Sequence, residues 1–413
     1  MLRVRNGKLF SLPFIAQRRH VARFAAHLPP LPPPEEWVDN FFPLGRQGKE
    51  VRVFLNHPDI AFKTLSAFGL DKDEGHGPKT VVEIYPGPGL LSRAILSLPR
   101  ERIKKLVIIE DDPHFLDFIK PLQEADDRVV FLPTNGFLWK TYDEMDERGI
   151  LSDIEPVLDG SAHPNLHFVG QMPPSIHSEQ LLSQFIRSIP AKSWLWRFGR
   201  VPLHLIVTES LHGRLTAPIG NSHRCKLTIL AEALTDITVS PPQESYTPYS
   251  DHFFPPLPVT RSGKSSKGKK SRRIGNPMVA INMMPKVDAI IPGQQVISED
   301  MIDAWDFVLR QCFVLHSRPI KSALPYVITP SFYFSSSSYM VHIALFFRAN
   351  LPLPPSSSKM AFLKLPRLIA PGAGILLKNP VCQHLDPGME ILIHAEMADI
   401  PYGSKMMHTH DIY

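Results

Sequence analysis

The sequence is poor in cysteine, in acid at two places, and in long apolar runs. Cys225, Cys312 and Cys382 are the only cysteines in 413 residues. Three so far apart cannot build a disulfide framework or a zinc–cysteine site by themselves. The 18 histidines show no HExxH or Cys/His spacing, so no metal is expected. The best apolar run, Tyr339–Phe347, falls well short of the ~20 residues a membrane-crossing helix needs. No internal repeat is visible. Hydrophobic residues make up 43% and charged residues 21%, which excludes a disordered chain and leaves ample material for a core. Proline is the opposite case. Its 42 copies, about twice the usual ~5%, argue for long loops and against an all-helical repeat.

No acid precedes Glu35, whereas Arg3, Arg5, Lys8, Arg18, Arg19 and Arg23 all do. Arginine mixed with Leu, Phe and Ala, and no acid, is the composition of a mitochondrial presequence; the alternative is a basic tail. Pro29, Pro30, Pro32, Pro33 and Pro34 stop any helix there. Residues 1–34 are thus expected to be a presequence with a proline-rich join, addressed to the mitochondrial matrix. A second acid-free stretch separates Asp251 from Asp288. Within it, Arg261, Lys264, Lys267, Lys269, Lys270, Arg272 and Arg273 are spaced by Ser and Gly. Such a loop, 261–273, can hold phosphates without reading sequence, or simply stay solvated. Without these two clusters the net charge of +5 becomes negative.

The clearest chemical pattern is VVEIYPGPGLLSRAIL, Val81–Leu96. Val81, Val82 and Ile84 predict a strand, Pro86–Gly89 a tight turn, and Leu90 onward a helix. An open α/β sheet presents a cofactor crevice in this way. Gly87 and Gly89 would let backbone approach a ligand. The third glycine of a dinucleotide fingerprint is missing. A second strand, Leu106–Ile109, ends at Glu110, where a carboxylate can hold ribose hydroxyls. A third, Arg128–Pro133, leads to Asn135, which could meet an adenine amino group. This is the layout of a site for S-adenosylmethionine. A fourth strand, at Leu166, Phe168 and Val169, leads through Gln171-Met172-Pro173-Pro174 into a helix over Ser175–Ile186. Trp194 and Trp196, with Arg197 and Arg200, precede a strand at Val201–Val207. Core packing of those tryptophans is favoured over stacking on nucleic acid. Tyr246, Tyr249, Phe253 and Phe254 are expected to cover the sheet or meet a partner.

Four further stretches follow in order: Thr208–Pro218, His223–Leu234, Met284–Ile291, read as a strand, and Asp306–Leu324, read as a helix. Together the motifs resemble the ribosomal-RNA adenine N6-dimethyltransferases over Phe54–Leu324. That family includes the mitochondrial transcription factor B proteins and the fungal mitochondrial transcription initiation factor. The resemblance implies a Rossmann-like, seven-stranded, mostly parallel α/β fold of the S-adenosylmethionine-dependent methyltransferase type, with a small C-terminal helical domain. It places Glu83, Tyr85, Gly87, Gly89, Glu110 and Asn135 at the cofactor, and Gln171 and Pro173 at the target base. Arg318 and Lys321 would join the basic loop in binding nucleic acid.

The departures carry the functional expectation. Methylating members read Asn-Leu-Pro-Tyr where this chain has Gln171–Pro174. The Asn and Pro carbonyls localise the adenine amino lone pair, and the Tyr stacks on the flipped base. Gln171 is one methylene longer, and a shift of ~1 Å can cost about a hundredfold in rate. Pro174 has no aromatic face, and stacking is worth ~1–3 kcal/mol. Tyr85 replaces the first glycine of Glu-Ile-Gly-Pro-Gly, and Asn135 replaces an Asp. The resemblance then implies a transcription initiation factor, monomeric when free. It would partner the single-subunit mitochondrial RNA polymerase and stabilise melted promoter DNA in a positively charged cleft. S-adenosylmethionine is compatible with that role but not required by it. The alternative is dimethylation of mitochondrial small-subunit rRNA. The expected domains are 35–292 (α/β) and 293–413 (small helical). Residues 331–373 interrupt the latter, as a poorly ordered insertion or as translated non-coding sequence.

Overall fold

The computed structural model describes residues 23–41, 52–256, 275–290, 297 and 299–314, and the strands at 342–349, 374–378 and 389–396. The presequence through residue 22, the basic loop with Arg261, Lys264, Lys267, Lys269, Lys270, Arg272 and Arg273, and Arg318 and Lys321 lie outside these residues.

Seven strands form the central sheet. In chain order they are β1 (Lys79–Ile84), β2 (Ile103–Ile109), β3 (Val129–Leu132), β4 (Leu166–Gln171), β5 (Leu203–Thr208), β6 (Thr235–Val239) and β7 (Met278–Pro285). Their spatial order is β3-β2-β1-β4-β5-β7-β6. All neighbours are parallel except β7, which runs against both β5 and β6. The β1, β4 and β5 strands are buried along their whole length, as expected for a sheet covered on both faces. The two-residue period divides the core. Val82 and Ile84 join Val107, Phe168 and Leu205 on one face. Val81 joins Leu106, Ile108, Val169 and Ile206 on the other.

The helices that cover it are α1 (Pro58–Ala67), α2 (Leu90–Leu96), α3 (Pro113–Ala125), α4 (Trp139–Glu147), α5 (Ile176–Arg187), α6 (Glu209–Leu215), α7 (Lys226–Leu234) and α8 (Ile302–Val314). The α3 start is written in the sequence: Pro113 stands in its first turn, and Asp112 accepts the His114 N–H at 3.1 Å. The α8 helix docks on α7 through a 2.7 Å bond from Lys226 to Asp306, with Trp305 and Leu309 buried. Trp194 and Trp196 are core residues, stacked on or against Phe185 and each other. Arg197 pairs with Asp146, and Arg200 donates to the carbonyls of Pro285 and Gly160. Tyr246, Tyr249, Phe253 and Phe254 are buried over the second face.

One expectation changes. The strand placed at Met284–Ile291 is β7, and it ends at Pro285; Val287–Ile290 turns into a short helix. Proline has no N–H to extend a ladder, which closes the strand there. Beyond residue 293, the described residues also include strands. His342–Ala349 and Gly374–Lys378 flank Met389–Glu396 in an antiparallel sheet. Of 331–373, only that first strand is described.

Residues 24–34, assigned from sequence to the leader and its join, lie on the body. Ala25 N–H donates to Ser97 Oγ at 2.8 Å, His27 meets Asp126 at 3.1 Å, and Leu28 is buried. Arg93 reaches out to the Pro29 carbonyl at 2.9 Å.

Candidate functional site

The sheet order reverses between β1 and β4. Ligands of open α/β sheets bind at such a switch point, beyond the carboxyl ends of the strands. Tyr85 follows β1 there, Glu110 follows β2, Asn135 lies beyond β3, and Gln171 ends β4. The structure therefore brings together the residues that the sequence assigned to the cofactor and the base. Each of them is engaged by the protein itself.

Glu110 is almost wholly buried and accepts from five donors. Arg52 bonds both oxygens, Nη1 to Oε1 at 3.0 Å and Nη2 to Oε2 at 2.8 Å. Oε1 also takes the Asp111 and Asp112 N–H groups at 3.1 Å each, and Oε2 takes the Gly87 N–H at 3.2 Å. Burial pushes this carboxyl upward, and the Arg52 charge is the largest opposing influence. All five partners are donors, so they hold the ionised form.

Tyr85 is buried and left-handed, with φ +53°. A side chain in that region costs ~1–2 kcal/mol. Its hydroxyl points at Asn135 Oδ1, 3.4 Å away, and its ring lies 4.6 Å beneath the Arg52 guanidinium. Asn135 mainly caps its own loop, with Oδ1 accepting the Phe137 N–H at 2.8 Å. Gly87 does permit a close approach, but Phe54 makes it. A Cβ on Gly87 would stand 3.0–3.2 Å from the Phe54 side chain. The freedom of Gly89 serves packing, since a Cβ there would meet Ile119 at 2.6 Å.

Glu83 lies beneath the turn and faces α2, accepting from Ser92 Oγ at 2.6 Å. Its other oxygen has no hydrogen-bond partner among the described residues. Burial pushes it up to about 8, with the nearby Glu110 charge adding, so it is mostly protonated at neutral pH.

At the target-base end, Gln171 is buried. Its Oε1 accepts the Leu55 N–H at 3.0 Å, and its Nε2 donates to the Pro86 carbonyl at 3.2 Å. Both partners are backbone groups, which fixes the orientation of the amide. The Pro173 carbonyl accepts the Ser175 N–H at 2.7 Å and Ser178 Oγ at 2.6 Å. Pro174 is buried.

Sequence reasoning missed the strap that does much of this, Arg52–Leu55. Phe54 and Leu55 pair with Phe254 and Phe253. The one available signal was an arginine set between Val51 and Val53 ahead of an apolar pair. Arg93 was also missed. It is buried in an apolar helix, where it binds the carbonyls of Pro29, Pro88, Gly89 and Phe118.

A cavity of about 380 Å³ lies at the β6 edge, lined by Leu215, Arg224, Glu232 and Ile237 among others, away from this crevice. Among the described residues no cluster of metal-ligating side chains occurs, and no helix is long and apolar enough to cross a membrane.

Sheet order and crevice define an α/β protein of the S-adenosylmethionine-dependent methyltransferase type. The family model for ribosomal RNA adenine dimethylase matches residues 53–343, and the chain belongs to that family. The mitochondrial dimethyladenosine transferase 1 of Caenorhabditis elegans is 27% identical over 220 residues, 51% of this chain and 55% of that one. Mitochondrial transcription factor 1 of Saccharomyces cerevisiae is 25% identical over 280 residues, 66% of this chain and 75% of that one. The chain spans about half the length of the animal mitochondrial dimethyladenosine transferases it matches. A solved dimethyladenosine transferase from Plasmodium falciparum shares 17% identity over 68% of this chain and 78% of that one, at a TM-score of 0.41. Family and fold support S-adenosylmethionine as the cofactor class. The side chains as arranged do not fit it, because Glu110, Gly87 and Tyr85 are covered by Arg52 and Phe54.

Proposed function

We propose that this protein is a mitochondrial transcription initiation factor. It partners the single-subunit mitochondrial RNA polymerase in the matrix and stabilises melted promoter DNA. One observation carries the reading: both acceptors expected at the target adenine are already engaged. The Gln171 amide joins Leu55 to Pro86, and the Pro173 carbonyl takes two serine donors. An adenine amino group would find the Pro173 carbonyl filled by two donors and the Gln171 oxygen buried and already bonded to Leu55, and Pro174 offers it no stacking face. The names of relatives support the same direction, since two yeast relatives are called mitochondrial transcription factor 1. The basic loop Arg261–Arg273, with Arg318 and Lys321, would supply phosphate contacts and a steep salt dependence.

The second reading is dimethylation of mitochondrial small-subunit rRNA. It is supported by the family and by relatives named dimethyladenosine transferase. The two readings separate on a promoter carrying 2-aminopurine at the start site. With cognate polymerase, the full chain should raise the fluorescence of the unstacked base. In parallel it should transfer no labelled methyl group to the rRNA hairpin. Methyl transfer without promoter opening would establish the second reading instead.

A further inference from the structure

We propose that Arg52 is an internal ligand of the crevice, standing where a nucleoside cofactor would bind and closing the site to S-adenosylmethionine. The proposal is independent of the transcription reading.

The chemistry of the exchange is specific. A carboxylate at the end of β2 would hold a ribose by accepting two vicinal hydroxyls. A guanidinium presents two coplanar N–H donors to the same two oxygens. Arg52 does this at 3.0 and 2.8 Å. Its cationic face also lies 4.6 Å from the Tyr85 ring centre and 5.6 Å from that of Phe115. It thus fills the crevice with positive charge on an aromatic wall. A ribose can replace the two hydrogen bonds, but it is neutral and cannot replace the charge. The Glu110 side chain is fully buried and that of Arg52 only 6% exposed. Exchange would leave a carboxylate without a countercharge in the interior.

Arg52 is also held by its backbone neighbours. The strap pairs with Phe253–Phe254, the Asn56 N–H donates to the His252 carbonyl at 3.0 Å, and the Leu55 N–H donates to Gln171. The Phe54 ring packs among Trp37, Phe41, Phe115 and Phe254 while resting on Gly87. Opening the crevice therefore means lifting a packed strand as well as turning a side chain.

The test is calorimetric titration of the full chain with S-adenosylhomocysteine, paired with melting curves and hydrogen exchange. The wild type should give no binding heat and no rise in Tm, with amide protection at residues 52–55 unchanged by the ligand. The double variant Arg52→Ala/Tyr85→Gly should melt lower alone and rise in Tm with the ligand. A wild type that binds while residues 52–55 lose protection would make Arg52 a gate and overturn the proposal. So would wild-type binding with that protection retained, or a folded double variant that still binds nothing. Should the double variant not fold, the wild-type titration and exchange decide alone. Binding of S-adenosylhomocysteine by the wild type would leave the transcription reading standing, so the two failures are distinguishable.

Discussion

Gln171 and Leu55 are 116 residues apart and are joined by a 3.0 Å hydrogen bond from the Leu55 N–H to the Gln171 amide oxygen. The other end of the same amide holds the Pro86 carbonyl. One side chain thus ties the strap, the glycine turn and the end of β4 together. The methylene that distinguishes glutamine from asparagine gives it the reach.

Gln171→Asn should therefore weaken the fold. It would leave the Leu55 N–H and the Pro86 carbonyl short of partners in a buried place, at ~1–3 kcal/mol. Urea unfolding measures the loss. An unchanged midpoint would mean the amide is not structural.

The Arg52–Glu110 pair should behave as a unit. Arg52→Ala strands a buried charge, and such losses run to ~3–5 kcal/mol. Replacing both partners by apolar residues, Arg52→Met with Glu110→Leu, should cost less than Arg52→Ala alone. A double-mutant cycle in denaturant reads the coupling, and additive effects would contradict it.

Tyr85 separates backbone strain from packing. At φ +53°, Tyr85→Ala loses the ring and keeps the strain, whereas Tyr85→Gly loses the ring and relieves the strain. The glycine variant should be the more stable by about 1 kcal/mol. Equal midpoints in urea would argue that the left-handed turn relaxes.

Two buried groups should contribute opposite slopes to the pH profile of stability. His204 contacts His167 at 3.0 Å and Asn282 at 2.7 Å, and burial lowers it from 6.5 to about 4. The unfolded chain binds that proton more readily, so this contribution is lost as pH falls from 6.5 toward 4. Glu83 runs the other way. Raised from 4.5 to about 8, it contributes most below 4.5, and that contribution is lost as pH rises toward 8. Glu83→Gln should thus be less favourable relative to wild type at pH 5 than at pH 8. Denaturant midpoints at the two pH values would show it, and a constant difference would contradict it.

Much of the frame was readable in the sequence because it is local. The Val81–Ile84 run, the Pro86–Gly89 turn and the helix from Leu90 all follow from periodicity and turn chemistry, and each is present. The helix expected at Ser175–Ile186 is Ile176–Arg187, and the strand expected at Val201–Val207 is Leu203–Thr208. Glu110, Gly87 and Gly89 lie at the strand end and in the turn where the sequence puts them, whereas Glu83 faces α2. What the sequence did not reveal is what they touch. The partner of Glu110 is 58 residues upstream, and nothing in the local pattern around Arg52 marks it for that role. Gly87 is bare for Phe54 rather than for a ligand, because a glycine records a close approach but not what approaches. The Met284–Ile291 strand rests on resemblance to a family motif, and the local sequence marks its true end, since Pro285 is followed by Lys286 and Asp288, which break the apolar run.

We propose a methyltransferase fold that works in transcription without methyl-group chemistry. Run-off transcription by the cognate mitochondrial RNA polymerase on linear promoter DNA tests it most directly. It should be run with and without the full chain, and with S-adenosylmethionine absent or saturating. Glu110→Ala would be a poor probe, since it also releases Arg52. Correctly started transcripts should appear only when the protein is present, at a yield the methyl donor does not change. Transcripts that ignore the protein, or that require the donor, would contradict it.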